Sequence, residues 1–221
     1  IAPLAAIRSE KVAYIVMLAG PGVPGIDILV AQGQLINRAA GMPELLVESN
    51  SRIQLALADI VRREPDPEKA GPLMRAVMRD ELENLPPDIK EALLESQVGD
   101  VAINTTVNQI NSPWFRFFLN HDPRPVLEQV SVPVLAIFGE KDLQVPPELN
   151  VPEIEAAFER GNNEAATVRV LAGLNHLFQQ AESGAPSEYQ LIEETFNQGA
   201  LDLISSWILE HFPAPKLDTL N

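Results

Sequence analysis

The stretch PVLAIFGEKDLQVPP, Pro133 to Pro147, sends an unbroken apolar run into a glycine and then into three charged residues. Val134, Leu135, Ala136, Ile137 and Phe138 do not alternate with polar residues, so they read as a strand covered on both faces, as in a parallel sheet between helices. In open sheets of that kind ligands gather at the carboxyl ends of the strands. Glu140, Lys141 and Asp142 fall at that end. A solvated loop, with Asp142 as a capping carboxylate ahead of Pro146 and Pro147, has much the same composition, so the rest of the chain must decide.

Two further strands are expected around this one. VAYIVMLAG, Val12 to Gly20, is a second unalternating run and leads into the turn-rich PGVPG of Pro21 to Gly25. ATVRVLAG, Ala166 to Gly173, alternates in part and suits a position nearer the sheet edge. VPEIEAAFERG supplies an amphipathic helix between them, with Gly161 as its stop, and a last helix from Ala200 to His211 turns Ala200, Leu203, Ile204, Trp207 and Ile208 toward the sheet. From Ile26 to Asn120 the patterns are helical throughout. Ile53, Leu57, Ile60 and Val61 share one helix face, and Asp66-Pro67, Ser112-Pro113 and Asp122-Pro123 mark three helix starts. The fold class is therefore α/β, with about three parallel strands built from residues 1–25 and 121–221 and a helical insertion at 26–120.

Charge and length exclude several functions. Thirty-one acidic side chains against 16 basic ones leave a net charge of -15, which repels phosphate backbones and anionic lipid, so no nucleic-acid partner is expected. No window approaches the ~18 apolar residues of a membrane span. The chain has no cysteine, so disulfides and thiolate metal sites are excluded while the compartment stays open. No metal cluster and no phosphate-cradling glycine loop is found, and no cofactor is expected. IAPLAAIRSEK begins in the middle of a helical pattern with no capping residue ahead of Ile1, which leads us to expect polypeptide upstream.

Asp142 and His176 follow successive strand ends, and parallel strands put both ends on one side of a sheet. A carboxylate bonded to one imidazole nitrogen fixes the tautomer and stabilises the imidazolium, leaving the other nitrogen to accept a proton from a nucleophile. That is the acid and base half of a hydrolytic triad. Taken singly, Asp142 is as well explained as a loop carboxylate and His176 as a core histidine bonded to backbone. Their spacing as a pair favours the triad.

PVLAIFGEKDLQVPP followed by VRVLAGLNHLFQ resembles the C-terminal half of an α/β-hydrolase, in which the triad runs Ser, Asp or Glu, then His along the chain. With MLAGPGVPG, SPWFRFFLNHDP and EETFNQGALDLISSWILEHF, the likeness extends over nearly all of the chain to the bacterial esterase and serine-aminopeptidase-like branch. The resemblance implies Asp142 as acid, His176 as base, and residues 26–120 as a cap over an acyl pocket. It also implies a small carboxylic ester as substrate, with a peptide or thioester as alternatives.

One part of the pattern is missing. The family's nucleophile sits in G-x-S-x-G, which does not occur in this sequence. Ser183 adjoins Gly184 but follows His176, and Ser9, Ser96 and Ser131 lie in or beside predicted helices. The resemblance places the serine, and the oxyanion-hole donors with it, upstream of Ile1, so that this chain alone is expected to be inactive. A non-catalytic binding or assembly module derived from such a hydrolase is the alternative. In either case the Val12 strand is expected to pair on its free side with an upstream segment or another chain. Among the remaining candidates, Glu140 is a substitute acid, His121 belongs to the Asp122 turn, and His211 closes the last helix. Trp114, Phe115, Phe117 and Phe118 are either pocket lining or plain core. Gly20, Pro21 and Gly22 are placed at the border of the pocket.

Overall fold

The structure, a computed structural model, describes residues 1–95 and 99–213. Among them are a three-stranded parallel sheet and ten α-helices, and the chain divides into two compact units. The first unit comprises Ile1–Gly22 and the chain from Arg124 onward, and the second comprises Val23–Pro123.

In the first unit the strands β1 (Ile15–Leu18), β2 (Val134–Gly139) and β3 (Ala166–Leu171) lie in that order across the sheet. Ile15 pairs with Val134 at the start of the first ladder, and Val134 with Ala166 at the start of the second. All six residues of β2 are buried, as its lack of alternation requires. Its side chains pack with Ile154, Ala157 and Phe158 of α9 (Pro147–Arg160) and with Ala200 and Trp207 of α10 (Gln198–His211) in one apolar cluster. Each large side chain buried in this way is worth roughly 1.5–3 kcal/mol of transfer free energy. β3, at the edge, is only partly buried.

Several elements differ in extent from their sequence patterns. β1 covers four residues rather than Val12–Gly20, because Pro133 has no N–H to extend the ladder backward and Ala19 turns to φ 47 just beyond Leu18. Leu18 is 47% exposed, so β1 is not covered on both faces. The N-terminal helix α1 spans Ala2–Ala6 only. α9 starts at Pro147 instead of Val151, since the proline at N1 costs no hydrogen bond. Gly161 closes α9 with an ordinary φ of -79, so it is not a left-handed stop. A Cβ there would lie 2.2 Å from the Glu128 carbonyl oxygen, and this close approach accounts for the glycine.

The second unit is helical among its described residues. It contains α2 (Gly25–Ala39), α3 (Glu44–Arg63), α4 (Pro67–Glu83), α5 (Pro87–Glu95), α6 (Gly99–Ile110) and α7 (Pro113–Asn120). Leu57 and Val61 of α3 meet Ala70 and Met74 of α4, Ile103 and Val107 of α6 and Leu119 of α7 in a second core. Asp66 caps α4 by accepting from the Glu68 N–H at 3.0 Å, and Ser112 caps α7 by accepting from the Phe115 N–H at 3.4 Å. The third expected start is displaced by one residue, with α8 running Arg124–Leu127 in the first unit. Trp114 and Phe117 are 64% and 58% exposed, so of the four aromatics only Phe115 and Phe118 pack on the core.

Candidate active site

Asp142 and His176 meet at the carboxyl ends of β2 and β3. Asp142 Oδ2 and His176 Nδ1 are 2.9 Å apart. A carboxylate only accepts, so Nδ1 is the donor, and in the neutral imidazole the lone pair is on Nε2. The Asp142 side chain is fully shielded from solvent, while that of His176 is 28% exposed. Nε2 has no hydrogen-bond partner among the described residues.

The Asp142 side chain is fixed by its own turn. Asp142 Oδ1 accepts from the N–H groups of Gln144 and Val145, each at 2.8 Å, so the short side chain folds the chain around itself before α9 begins. Three hydrogen bonds thus converge on one buried carboxylate, which offsets its desolvation and fixes its direction.

His176 is held by a neighbouring loop. Asn175, fully buried, accepts at Oδ1 from the N–H groups of Leu177 (2.9 Å) and Gln179 (3.0 Å) and donates through Nδ2 to Gln179 Oε1 at 3.0 Å. Phe178 adopts φ 57 at the tip of this loop and stacks on Phe196. Glu194 secures the far side by accepting from the Gln180 N–H at 2.6 Å and from Asn197 Nδ2 at 2.9 Å. The loop passes directly over the end of β2, where the Lys141 N–H donates to the Leu174 carbonyl at 2.8 Å. At Gly139 a Cβ would lie 2.3 Å from the Leu174 oxygen and 2.4 Å from that of Asn175, so no other residue permits the crossing.

A third segment closes against Asp142 from the C-terminal side. Lys141 Nζ donates to the carbonyls of Ala181 and Glu182, both at 2.8 Å, and Gln144 Nε2 donates to the Tyr189 hydroxyl at 2.9 Å. Burial pushes the Tyr189 phenol above its ordinary pKa; the Gln144 bond acts against the rise, and the charges of Asp142 and Glu188 add to it. Glu188 accepts from the Ser183 hydroxyl and from the N–H groups of Ser183 and Gly184, and the hydroxyl is the main reason its carboxyl lies below the usual range.

The other sequence candidates lie elsewhere. Glu140 accepts from the Gly173 N–H at 2.8 Å and makes no bond to His176. Ser183 is engaged with Glu188, and Ser9 accepts from the Lys11 N–H. Ser96 lies outside the described residues. No serine hydroxyl among the described residues is hydrogen-bonded to the His176 ring. His121 stacks on Phe117 and ends α7, and His211 bonds through Nδ1 to the Trp207 carbonyl at 2.8 Å. Gly22, after β1, donates its N–H to Asn150 Oδ1 at 2.8 Å. Among the described residues no group of three metal-binding side chains gathers, and no helix is long and apolar enough to cross a membrane.

Sequence reading missed the residues that support the pair. Gly139 had a visible signal, a glycine closing an apolar strand. Asn175 and Tyr189 had none, because their roles depend on partners distant in the chain. Comparison with protein-family models, curated proteins and solved structures finds no match to this chain.

Proposed function

We propose that the chain carries the acid and base of a serine hydrolase of the α/β-hydrolase fold acting on small carboxylic esters. The observation that carries the proposal is the 2.9 Å contact between buried Asp142 and partly exposed His176 at the ends of adjacent parallel strands. The sequence resemblance supports it independently and assigns the helical unit the part of a cap. In the proposed reaction His176 Nε2 takes the proton from a serine hydroxyl as its oxygen attacks the ester carbonyl, and Asp142 stabilises the resulting imidazolium. The imidazolium then protonates the leaving alcohol, and a water activated in the same way hydrolyses the acyl-enzyme.

The serine is proposed to lie in polypeptide preceding Ile1. Ser49, Ser51, Ser112 and Ser183 already donate to Glu81, Val47, Gln109 and Glu188. A fluorophosphonate probe tests this on the 221-residue chain and on a polypeptide extended upstream. We expect no label on the former and one label on the latter, at a serine before Ile1. We further expect His176→Ala to abolish labelling and Asp142→Asn to slow ester turnover by about 10⁴, the cost of the equivalent change in a serine protease. Stoichiometric labelling of any serine between Ile1 and Asn221, or labelling indifferent to His176→Ala, contradicts the reading.

A second reading, a hydrolase-derived assembly module, is favoured by β1. Among the described residues β1 pairs only with β2, and the proposed occupant of its free edge is an upstream segment or another chain. A glycine-flanked serine upstream separates the enzyme from the module. Within the enzyme class, peptide and thioester substrates use the same acid and base.

A further inference from the structure

Asp142 stands between two residues whose side chains reach the same later segment of the chain. Lys141 Nζ donates to the Ala181 and Glu182 carbonyls at 2.8 Å, and Gln144 Nε2 donates to the Tyr189 hydroxyl at 2.9 Å. Between those anchors the segment is closed on itself. Glu188 accepts from the Ser183 hydroxyl and from the N–H groups of Ser183 and Gly184. Gly184 turns at φ 77 against the Lys141 carbonyl, where a Cβ would overlap the oxygen. Residues 181–189 therefore brace the turn that carries the carboxylate.

Gln144 is the residue through which this brace reaches Asp142. Its backbone N–H donates to Asp142 Oδ1 at 2.8 Å while its amide donates to Tyr189, so it is held at both ends. Oδ1 and Oδ2 lie in one rigid plane. A rotation of the carboxylate that strains the Gln144 and Val145 bonds also turns Oδ2 away from His176 Nδ1. The Tyr189 hydroxyl ends the chain of bonds. Phenylalanine would fill the same partly buried space without a polar atom to desolvate. Burial raises the phenol above its ordinary pKa, against the Gln144 bond and with the charges of Asp142 and Glu188, so it stays neutral beside the carboxylate.

We propose that Tyr189 is a positioning residue for the Asp142–His176 pair, acting through Gln144 to hold the carboxylate in the plane that directs Oδ2 at Nδ1. Its consequence for catalysis rests on the hydrolase reading, whereas its effect on the pair does not.

The test reads the low-field Nδ1 proton resonance of His176 in the 221-residue chain. Tyr189→Phe should speed exchange of this proton with solvent about fivefold, the net effect of one hydrogen bond. The increase should not grow in low urea, because a local loosening, unlike global unfolding, exposes little surface. Adding Tyr189→Phe to Gln144→Leu should speed exchange no further than Gln144→Leu does alone, since both break one link. Unchanged exchange in Tyr189→Phe, an increase that grows with urea, or additive effects in the double variant overturns the proposal. Should Tyr189→Phe fail to fold, Gln144→Leu decides alone: faster exchange supports the link and unchanged exchange refutes it. In the polypeptide extended upstream, Tyr189→Phe should also lower kcat for ester about fivefold at unchanged KM. An unsubstituted extended chain without turnover counts against the hydrolase reading, while the resonance still decides the role of Tyr189.

Discussion

At Gly139 the last residue of β2 meets the backbone of the loop that carries His176. The φ of Gly139 is not left-handed, and the constraint is one of space alone, since the Leu174 and Asn175 carbonyls stand where a Cβ would be. Gly139→Ala therefore forces the loop outward, at a cost of about 1–3 kcal/mol for overpacking a tight contact. The displacement falls on the residues flanking His176, so the imidazole should lose Asp142. We expect a lower urea midpoint together with loss of the low-field Nδ1 proton resonance of His176. A variant equally destabilised but retaining that resonance would show that the loop yields without moving His176. Gly41→Ala is the control, because a Cβ there meets nothing and its only strain comes from φ 73. It should lower stability and leave the His176 proton in place.

Helix α9 joins two strand exits through one residue. Asn150 is fully buried, accepts from the Gly22 N–H at 2.8 Å and donates to the Pro146 carbonyl at 2.9 Å. The loop after β1 is thereby fixed to the first turn of the helix that follows Asp142. Asn150→Ala leaves the Gly22 donor buried without a partner, and we expect it to destabilise the first unit by about 1–3 kcal/mol in urea unfolding. Asn150→Asp keeps an acceptor for Gly22 and should retain more of the stability at acid pH, where the carboxyl is neutral, than Ala does. The sequence does not announce this role. Asn150 sits inside an apparently ordinary stretch before VPEIEAAF, and its partner lies 128 positions away. The elements themselves are more legible, since an apolar run without alternation marks β2 wherever it occurs, and Asp66 and Ser112 before prolines mark α4 and α7 through purely local chemistry. Where the ladder ends is not local. β1 begins where it does because of Pro133, the residue just ahead of a different strand.

Across the whole molecule, the pairing of Asp142 with His176 was legible because topology alone puts successive parallel strand ends together, whereas Tyr189 and Glu194 enter through loops that follow no period. Charge is the property that sequence states most directly, and it gives a prediction in which two effects compete. Ion pairs between basic and acidic side chains, Arg38–Glu44 and Arg160–Glu128 among them, are found among the described residues. They are largely exposed, with both partners of Arg79–Asp100 more than half accessible, so each contributes little. Against them stands the repulsion of a net charge of -15, spread over a chain with 31 carboxylates. Added salt weakens both, but the repulsion among unpaired carboxylates outweighs the attraction within the pairs. Raising NaCl from about 0.02 to 0.3 M, which shortens the screening length from about 20 to 6 Å, should therefore raise the melting temperature. A gain of about 1 kcal/mol corresponds to roughly 2–4 °C for a chain of this size. A fall on adding NaCl would mean that the local pairs outweigh the global repulsion, and Arg52–Glu81 is the pair to remove first, because hydrogen bonding to Arg52 holds the Glu81 carboxyl below its ordinary pKa.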